Sequence, residues 1–168
     1  MLEGVKMENR IIIGIGEYAL GKAPKTLYTS SLGSCLAVIL YEPDKKIAGM
    51  AHILLPSHVK YKDKSKPSKF ADTAVEYLIN ELKKFGISPN NLLAKIAGGS
   101  KLGNLMPRDD IFKVGEKNVK SALFELHKYK IPIKAKDTGG DYYRTVEFHI
   151  SVDDWLGGHH LYGNMIRE

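Results

Sequence analysis

The chain has one cysteine, one tryptophan and no unbroken apolar stretch approaching the roughly 18 residues that a membrane-spanning helix requires. One thiol cannot close an internal disulfide, and it cannot build a cysteine-based structural zinc site. The opening MLEGVKMENRIII puts charges before a very short apolar segment, without the core or the small-residue cleavage site of a secretory leader. These absences lead to the expectation of a cytoplasmic protein with no membrane insertion. Repeats, low-complexity tracts and composition shifts are also missing. The 168 residues are therefore expected to form a single domain, 1–168, with 1–8 as a flexible N-terminal segment.

Positive charge is in excess, with a net charge of +6 and a pI near 9.2. Its densest run, KYKDKSKPSK at 60–69, is broken by Asp63, Pro67 and two serines, which suits a surface loop better than a groove that follows phosphates. Neither an aromatic RNA-binding motif nor paired zinc ligands accompany it, so nucleic acid is not expected as a partner. Attraction to an acidic protein surface fits the same charge, with Lys60, Lys62, Lys64 and Lys66 as candidate contacts. The six histidines, including the His159-His160 pair, fall into no metal-ligand spacing, and no metal is expected.

GIGEYALGKA at 14–23 comes close to a phosphate-binding loop, but Ala23 stands where a magnesium-holding hydroxyl would be needed. It reads as a glycine-punctuated turn after the first strand.

Short apolar or β-branched runs at 11–14, 27–30, 35–41, 47–55, 92–99, 131–136, 145–151 and 160–166 predict strands. EPDKK at 42–46 has the length and chemistry of a hairpin turn. Helical spacing of Phe70, Ala71, Ala74, Val75, Leu78, Leu82 and Phe85 predicts a helix over 69–85. Val119, Ala122, Leu123 and Leu126 predict a second over about 116–130. Hairpins followed by interspersed helices and closing strands point to the α/β class, a layered α/β sandwich with a mixed sheet and two main helices.

Within SLGSCLAVIL at 31–40, Cys35 follows Gly33-Ser34 and precedes an apolar run. A free cysteine in that setting is ordinarily a small core residue. Three features support a nucleophile instead. The Gly33-Ser34 bend could present backbone N–H groups to an oxyanion. His52, on the predicted neighbouring strand, shares a face with Met50 and Leu54. Thr29 has a hydroxyl able to orient an imidazole. A thiol needs a base, and the base needs a third group to fix its tautomer. Spacing alone leaves the core thiol and the catalytic trio as open alternatives.

The blocks Thr29-Ser-Ser-Leu-Gly-Ser-Cys35 and Ala51-His52-Ile-Leu-Leu-Pro56 resemble the chemoreceptor glutamine deamidase family, CheD. Lys69-Phe-Ala-Asp-Thr-Ala74, Lys95-Ile-Ala-Gly-Gly99, Gly115 with Asn118, Asp137-Thr-Gly-Gly140 and Arg144-Thr145 extend the resemblance in order from about residue 12 to 151. The chain departs from the family pattern at Ser30-Ser31 and at Ser100-Lys-Leu-Gly-Asn104, which lacks the family's aromatic. The resemblance implies a layered α/β fold related to toxin deamidases and a catalytic set of Cys35, His52 and Thr29. Its implied substrate is a glutamine on the cytoplasmic helical region of a methyl-accepting chemotaxis receptor, and receptor methyl-ester hydrolysis is a second activity it implies. Its implied partner is the CheC phosphatase. Gly33 and Ser34 are then expected as backbone support for the oxyanion, and Gly98, Gly99 and Ser100 as substrate contacts. Amide hydrolysis through a thioester has no redox or electron-sink step, so no cofactor is expected. A non-catalytic adaptor that binds CheC or receptor, and a different acyl transfer, are the competing expectations.

Overall fold

The fold follows from an apolar strand that must be covered on both sides. In the computed structural model, which describes residues 9–63, 65–102, 113–151 and 165–167, all seven residues of the strand Leu36–Glu42 are buried. Leu36, Val38 and Leu40 face one hydrophobic core, and Ala37, Ile39 and Tyr41 face another. A half-exposed strand would alternate apolar and polar residues; the unbroken LAVIL run is what burial on both faces requires.

The elements in chain order are β1 (Arg10–Ile12), β2 (Tyr18–Lys22), β3 (Thr26–Leu32), β4 (Leu36–Glu42), β5 (Ile47–Ile53), α1 (Ala71–Lys83), β6 (Leu93–Gly98), α2 (Val114–Lys128), β7 (Ile133–Thr138), β8 (Arg144–His149) and β9 (Met165–Arg167). They form a four-stranded sheet, β1-β3-β8-β9, and a five-stranded sheet, β2-β5-β4-β6-β7. Both sheets are mixed, through the parallel pairs β1/β3 and β6/β7. One core lies between the sheets. The other lies between the five-stranded sheet and the two helices, so the layers run helices, sheet, sheet.

The expected layered α/β class with mixed pairing and two helices is borne out. The predicted 42–46 hairpin also forms. β4 and β5 pair antiparallel from Leu36↔Ile53 to Glu42↔Ile47, and the buried Glu42 carboxylate accepts from the Asp44 and Lys45 amides at 2.9 and 3.0 Å. α1 buries Ala71, Ala74, Val75, Leu78, Ile79 and Leu82.

Two readings differ. Phe85 is 61 % exposed because the helix ends at Lys83, before the phenylalanine can return to the buried stripe. The 14–23 segment is more than a turn. After Gly16 the chain enters β2, which pairs with β5 from Tyr18↔Ala51 to Lys22↔Ile47. A strand occupies the place where a phosphate-binding loop would start its helix. The N-terminal segment 1–8, Lys64, the His159-His160 pair and most of the expected 160–166 strand lie outside the described residues, although Met165–Arg167 pairs with β8.

Candidate active site

Alternation along the strands directs three separate side chains into the core between the sheets. In β4 the odd-numbered positions face that core, and Cys35 continues their series just before the strand begins. In β5 Met50 has the same orientation, and His52 sits directly opposite Ala37 in the antiparallel register. In β3, on the facing sheet, Leu27 and Thr29 point inward. Thr29, His52 and Cys35 are 0 %, 1 % and 6 % exposed.

The backbone around His52 is held by the segment that precedes β2. Gly16 N–H donates to His52 O at 2.8 Å, and His52 N–H donates to Glu17 O at 2.9 Å. The segment leading into β2 therefore holds the His52 backbone from the strand edge.

The hydroxyl of Thr29 determines the tautomer. Oγ1 donates to the Ile13 carbonyl at 2.8 Å and lies 2.7 Å from His52 Nδ1. A hydroxyl has one hydrogen, so the contact with Nδ1 must be accepted from an Nδ1–H. Nε2 is then the unprotonated, basic nitrogen. It is buried without a hydrogen-bond partner among the described residues. A lone pair confined in that way is available to a proton brought to it.

Burial also sets the charge state. Desolvation lowers His52 from its ordinary 6.5 to about 4. Desolvation raises the Cys35 thiol above its ordinary range, with the residue's own backbone N–H pulling weakly the other way. Both shifts follow from taking charged forms out of water. Both favour the neutral form of each group, a thiol at Cys35 and an imidazole at His52, over an ion pair.

The approach to Cys35 is irregular. A register shift lies between Thr29 and Leu32, and Ser31 takes a left-handed φ of 60°. Bulges of this kind commonly adjoin functional sites because they redirect side chains. Gly33 N–H donates to Ser31 O at 3.1 Å, so this amide is already engaged, and Gly33 supports the bend through its backbone.

The Gly98-Gly99-Ser100 segment forms the wall beneath the cysteine. Gly99 N–H donates to Cys35 O and Ser100 N–H to Gly33 O, both at 2.8 Å. Gly98 has φ +118°, and a Cβ there would collide with the Cys35 carbonyl oxygen. Ser100 Oγ lies 2.6 Å from Tyr142 O and 3.1 Å from Gly139 O and accepts from Arg144 Nη1 at 2.7 Å. The buried Arg144 guanidinium also reaches Asp137 at 3.2 Å and the Tyr142 hydroxyl at 2.9 Å, which joins β8 to the end of β7. Gly99 lines a cavity of about 290 Å³ together with Lys101, Glu116, Val119, Thr138 and Gly139.

Every site residue expected from the sequence therefore lies in one neighbourhood, apart from the loop lysines Lys60, Lys62 and Lys66. Lys60, Lys62 and Lys66 are exposed, and none bonds to the trio. The sequence reading names Asn118 only within a family block and gives it no role. This α2 residue is fully buried, and its Nδ2 donates to Ser34 O at 2.9 Å and to Leu54 O at 3.1 Å. Its signal was an amide in line with Ala122 and Leu126, at four-residue spacing on the buried face of the helix.

No helix among the described residues is long and apolar enough to cross a membrane. Among solved structures, the chain is similar to a Neisseria meningitidis protein of the family described as DUF152, with a TM-score of 0.45 at 11% identity over 79% of this chain and 62% of the other. It is also similar to the Bacillus licheniformis hypothetical protein YfiH, with a TM-score of 0.42 at 16% identity over 71% and 49% of the two chains. The family model described as CheD chemotactic sensory transduction matches residues 54–155. A protein of Caldanaerobacter subterraneus subsp. tengcongensis named "Probable chemoreceptor glutamine deamidase CheD" is 44% identical over 144 residues, 85% of this chain and 89% of the relative. Proteins of the same name from Lachnoclostridium phytofermentans and Oceanobacillus iheyensis are 39% and 41% identical, covering 89% and 81% of this chain and 93% and 82% of theirs. With likeness of this extent over most of its length, the chain belongs to the CheD family.

Proposed function

We propose that this protein deamidates specific glutamine side chains on a methyl-accepting chemotaxis receptor, using Cys35 as nucleophile, His52 as base and Thr29 to orient the imidazole. The observation that carries the reading is the hydrogen-bond order at Thr29. It leaves the buried Nε2 of His52 unprotonated in the core that Cys35 shares. The named relatives support the substrate class.

The thiol proton passes to Nε2 as Sγ attacks the glutamine side-chain carbonyl. A C–S bond forms, and the carbonyl electron pair moves onto oxygen. Backbone N–H groups at Ser34 and Cys35 hold that oxygen; one such donor is typically worth about 3 kcal/mol in the transition state. Collapse breaks the C–N bond, and the Nε2 proton leaves with ammonia. Water, deprotonated by His52, then hydrolyses the thioester to glutamate and restores the thiol. The same steps with methanol as leaving group would hydrolyse a receptor methyl ester. Gly98, Gly99 and Ser100 hold the cysteine backbone and border the substrate. The exposed Lys60, Lys62 and Lys66 would favour an acidic receptor surface, and CheC is the proposed regulatory partner.

The test is mass spectrometry of a receptor cytoplasmic fragment incubated with the protein. A glutamine-to-glutamate shift at defined positions, absent with Cys35→Ala, is the expected result. A second reading, a non-catalytic adaptor for receptor or CheC, is favoured by the low exposure of Cys35. An intact receptor fragment together with a thiol that resists iodoacetamide would select the adaptor.

A further inference from the structure

The amide of Asn118 faces two backbone carbonyls. Both are acceptors, so its NH₂ group must be the part directed at them. One belongs to Ser34, immediately before the cysteine, and the other to Leu54, two residues after the histidine. A single buried side chain thus ties together the segments that carry Cys35 and His52.

The direction of the first bond matters more than its existence. The carbonyls of Gly33 and Cys35 are taken by backbone amides of Ser100 and Gly99, whereas the Ser34 carbonyl between them is taken by α2. α2 packs on the helix-covered face of the five-stranded sheet, but the Cys35 side chain belongs to the core on the opposite face. A trans peptide points its C=O and N–H in opposite directions. With the Ser34 carbonyl drawn towards α2, the Cys35 N–H is turned towards the side that holds Sγ and His52.

We infer that Asn118 is a positioning residue that sets the Ser34–Cys35 peptide so that the Cys35 N–H receives the oxyanion of the tetrahedral intermediate. The inference rests on the deamidase reading above. It separates two properties of the cysteine. Attack on iodoacetamide displaces iodide at a saturated carbon and creates no oxyanion, whereas attack on a glutamine amide does. Loss of Asn118 should therefore impair the second reaction and spare the first.

The experiment compares Asn118→Ala and Asn118→Ser with wild type, and with Ser121→Ala as a control. Ser121 Oγ, on the same helix, donates to Pro56 O at 2.9 Å and leaves the cysteine peptide untouched. For Asn118→Ala the expected result is a fall in deamidation kcat of about 10²-fold, with KM little changed and alkylation of Cys35 within about twofold of wild type. Asn118→Ser, with one donor, should lie between, and Ser121→Ala should retain the wild-type ratio of the two rates. In the wild type, a peptide with an aldehyde in place of the glutamine amide would add the thiol and present an oxygen to the hole. The Cys35 amide proton should then move downfield, a readout that requires no folded variant. Unchanged kcat in Asn118→Ala, equal loss of both rates, or an unmoved amide proton on formation of the adduct overturns the inference alone. Absence of deamidation by wild type overturns the deamidase reading as well.

Discussion

The two faces of the five-stranded sheet are built from the same strands and serve different ends. On the helix side, Leu36, Val38, Leu40, Ala51 and Ile53 meet the apolar stripes of α1 and α2, and packing is the main outcome. On the facing side, one residue out of phase, Cys35, Ala37, Ile39 and Met50 share the core with the imidazole of His52 and, from the other sheet, the hydroxyl of Thr29. A polar group in such a place is tolerated only when it is hydrogen-bonded. Thr29 satisfies one side of the imidazole, and the other has no hydrogen-bond partner among the described residues. The contrast is between a face filled by apolar packing and a face that also holds a thiol, an imidazole and a hydroxyl, the groups proposed to carry the chemistry.

Breaking this contrast should give its largest effect at Cys35 and Leu36, adjacent residues on opposite faces. Cys35→Ala should abolish deamidation while the urea midpoint changes little. Leu36→Ala should leave the folded protein active and cost about 2–5 kcal/mol in denaturant titrations, because it opens a cavity in the helix-side core. An active Cys35→Ala protein would reject the nucleophile.

His52→Gln should come next, with a fall in deamidation rate of about 10²-fold or more and slower alkylation of Cys35 near neutral pH. Its pH signature has a definite sign. The folded pKa of about 4 lies below the ordinary 6.5, so between these values the unfolded chain binds a proton that the folded chain refuses. Wild-type stability should therefore be complete above pH 6.5 and fall as the pH drops towards 4, by at most about 3 kcal/mol from this group. Denaturant midpoints of wild type and His52→Gln, followed from pH 7 to 4, should diverge in that window. Parallel curves would place the histidine in a wetter site.

Leu78→Ala sharpens the helix side alone. It should cost about 2–5 kcal/mol and leave the activity of the folded fraction unchanged, as measured by kinetics at a temperature where the variant remains folded. Thr29→Val should be the mildest, lowering the rate about tenfold and costing about 1–3 kcal/mol, since Nδ1–H and the Ile13 carbonyl each lose a buried partner. A loss as severe as that of His52→Gln, with the fold intact, would give the hydroxyl a part beyond orientation.

The sequence carried some of this more clearly than the rest. α1 was readable because six buried apolar side chains recur at helical spacing, and the β4–β5 hairpin because a charged five-residue turn separates two apolar runs. β2 was obscured by its composition: YALGK contains a glycine and a lysine that mimic a turn, and its pairing with β5 is a long-range choice. Phe85 fitted the helical period but lies beyond the point where the helix stops. Asn118 was quoted among the family's residues, yet its two acceptors lie 84 and 64 residues away in the chain, and nothing local points to them.

What the sequence determined by itself was local and periodic: most of the runs that become strands and helices, and the placing of Cys35 and His52 at neighbouring strands, with Cys35 just ahead of β4. The ordered motifs add the family. Only the tertiary structure divided the strands between two sheets and brought Thr29 to His52 across the core. The same packing fixed the tautomer, shifted Cys35 and His52 towards their neutral forms by excluding water and turned the Ser34 carbonyl towards α2. The physical reason is range. Side-chain parity repeats within a few residues, whereas desolvation and the choice of hydrogen-bond partner depend on which distant segment covers each face.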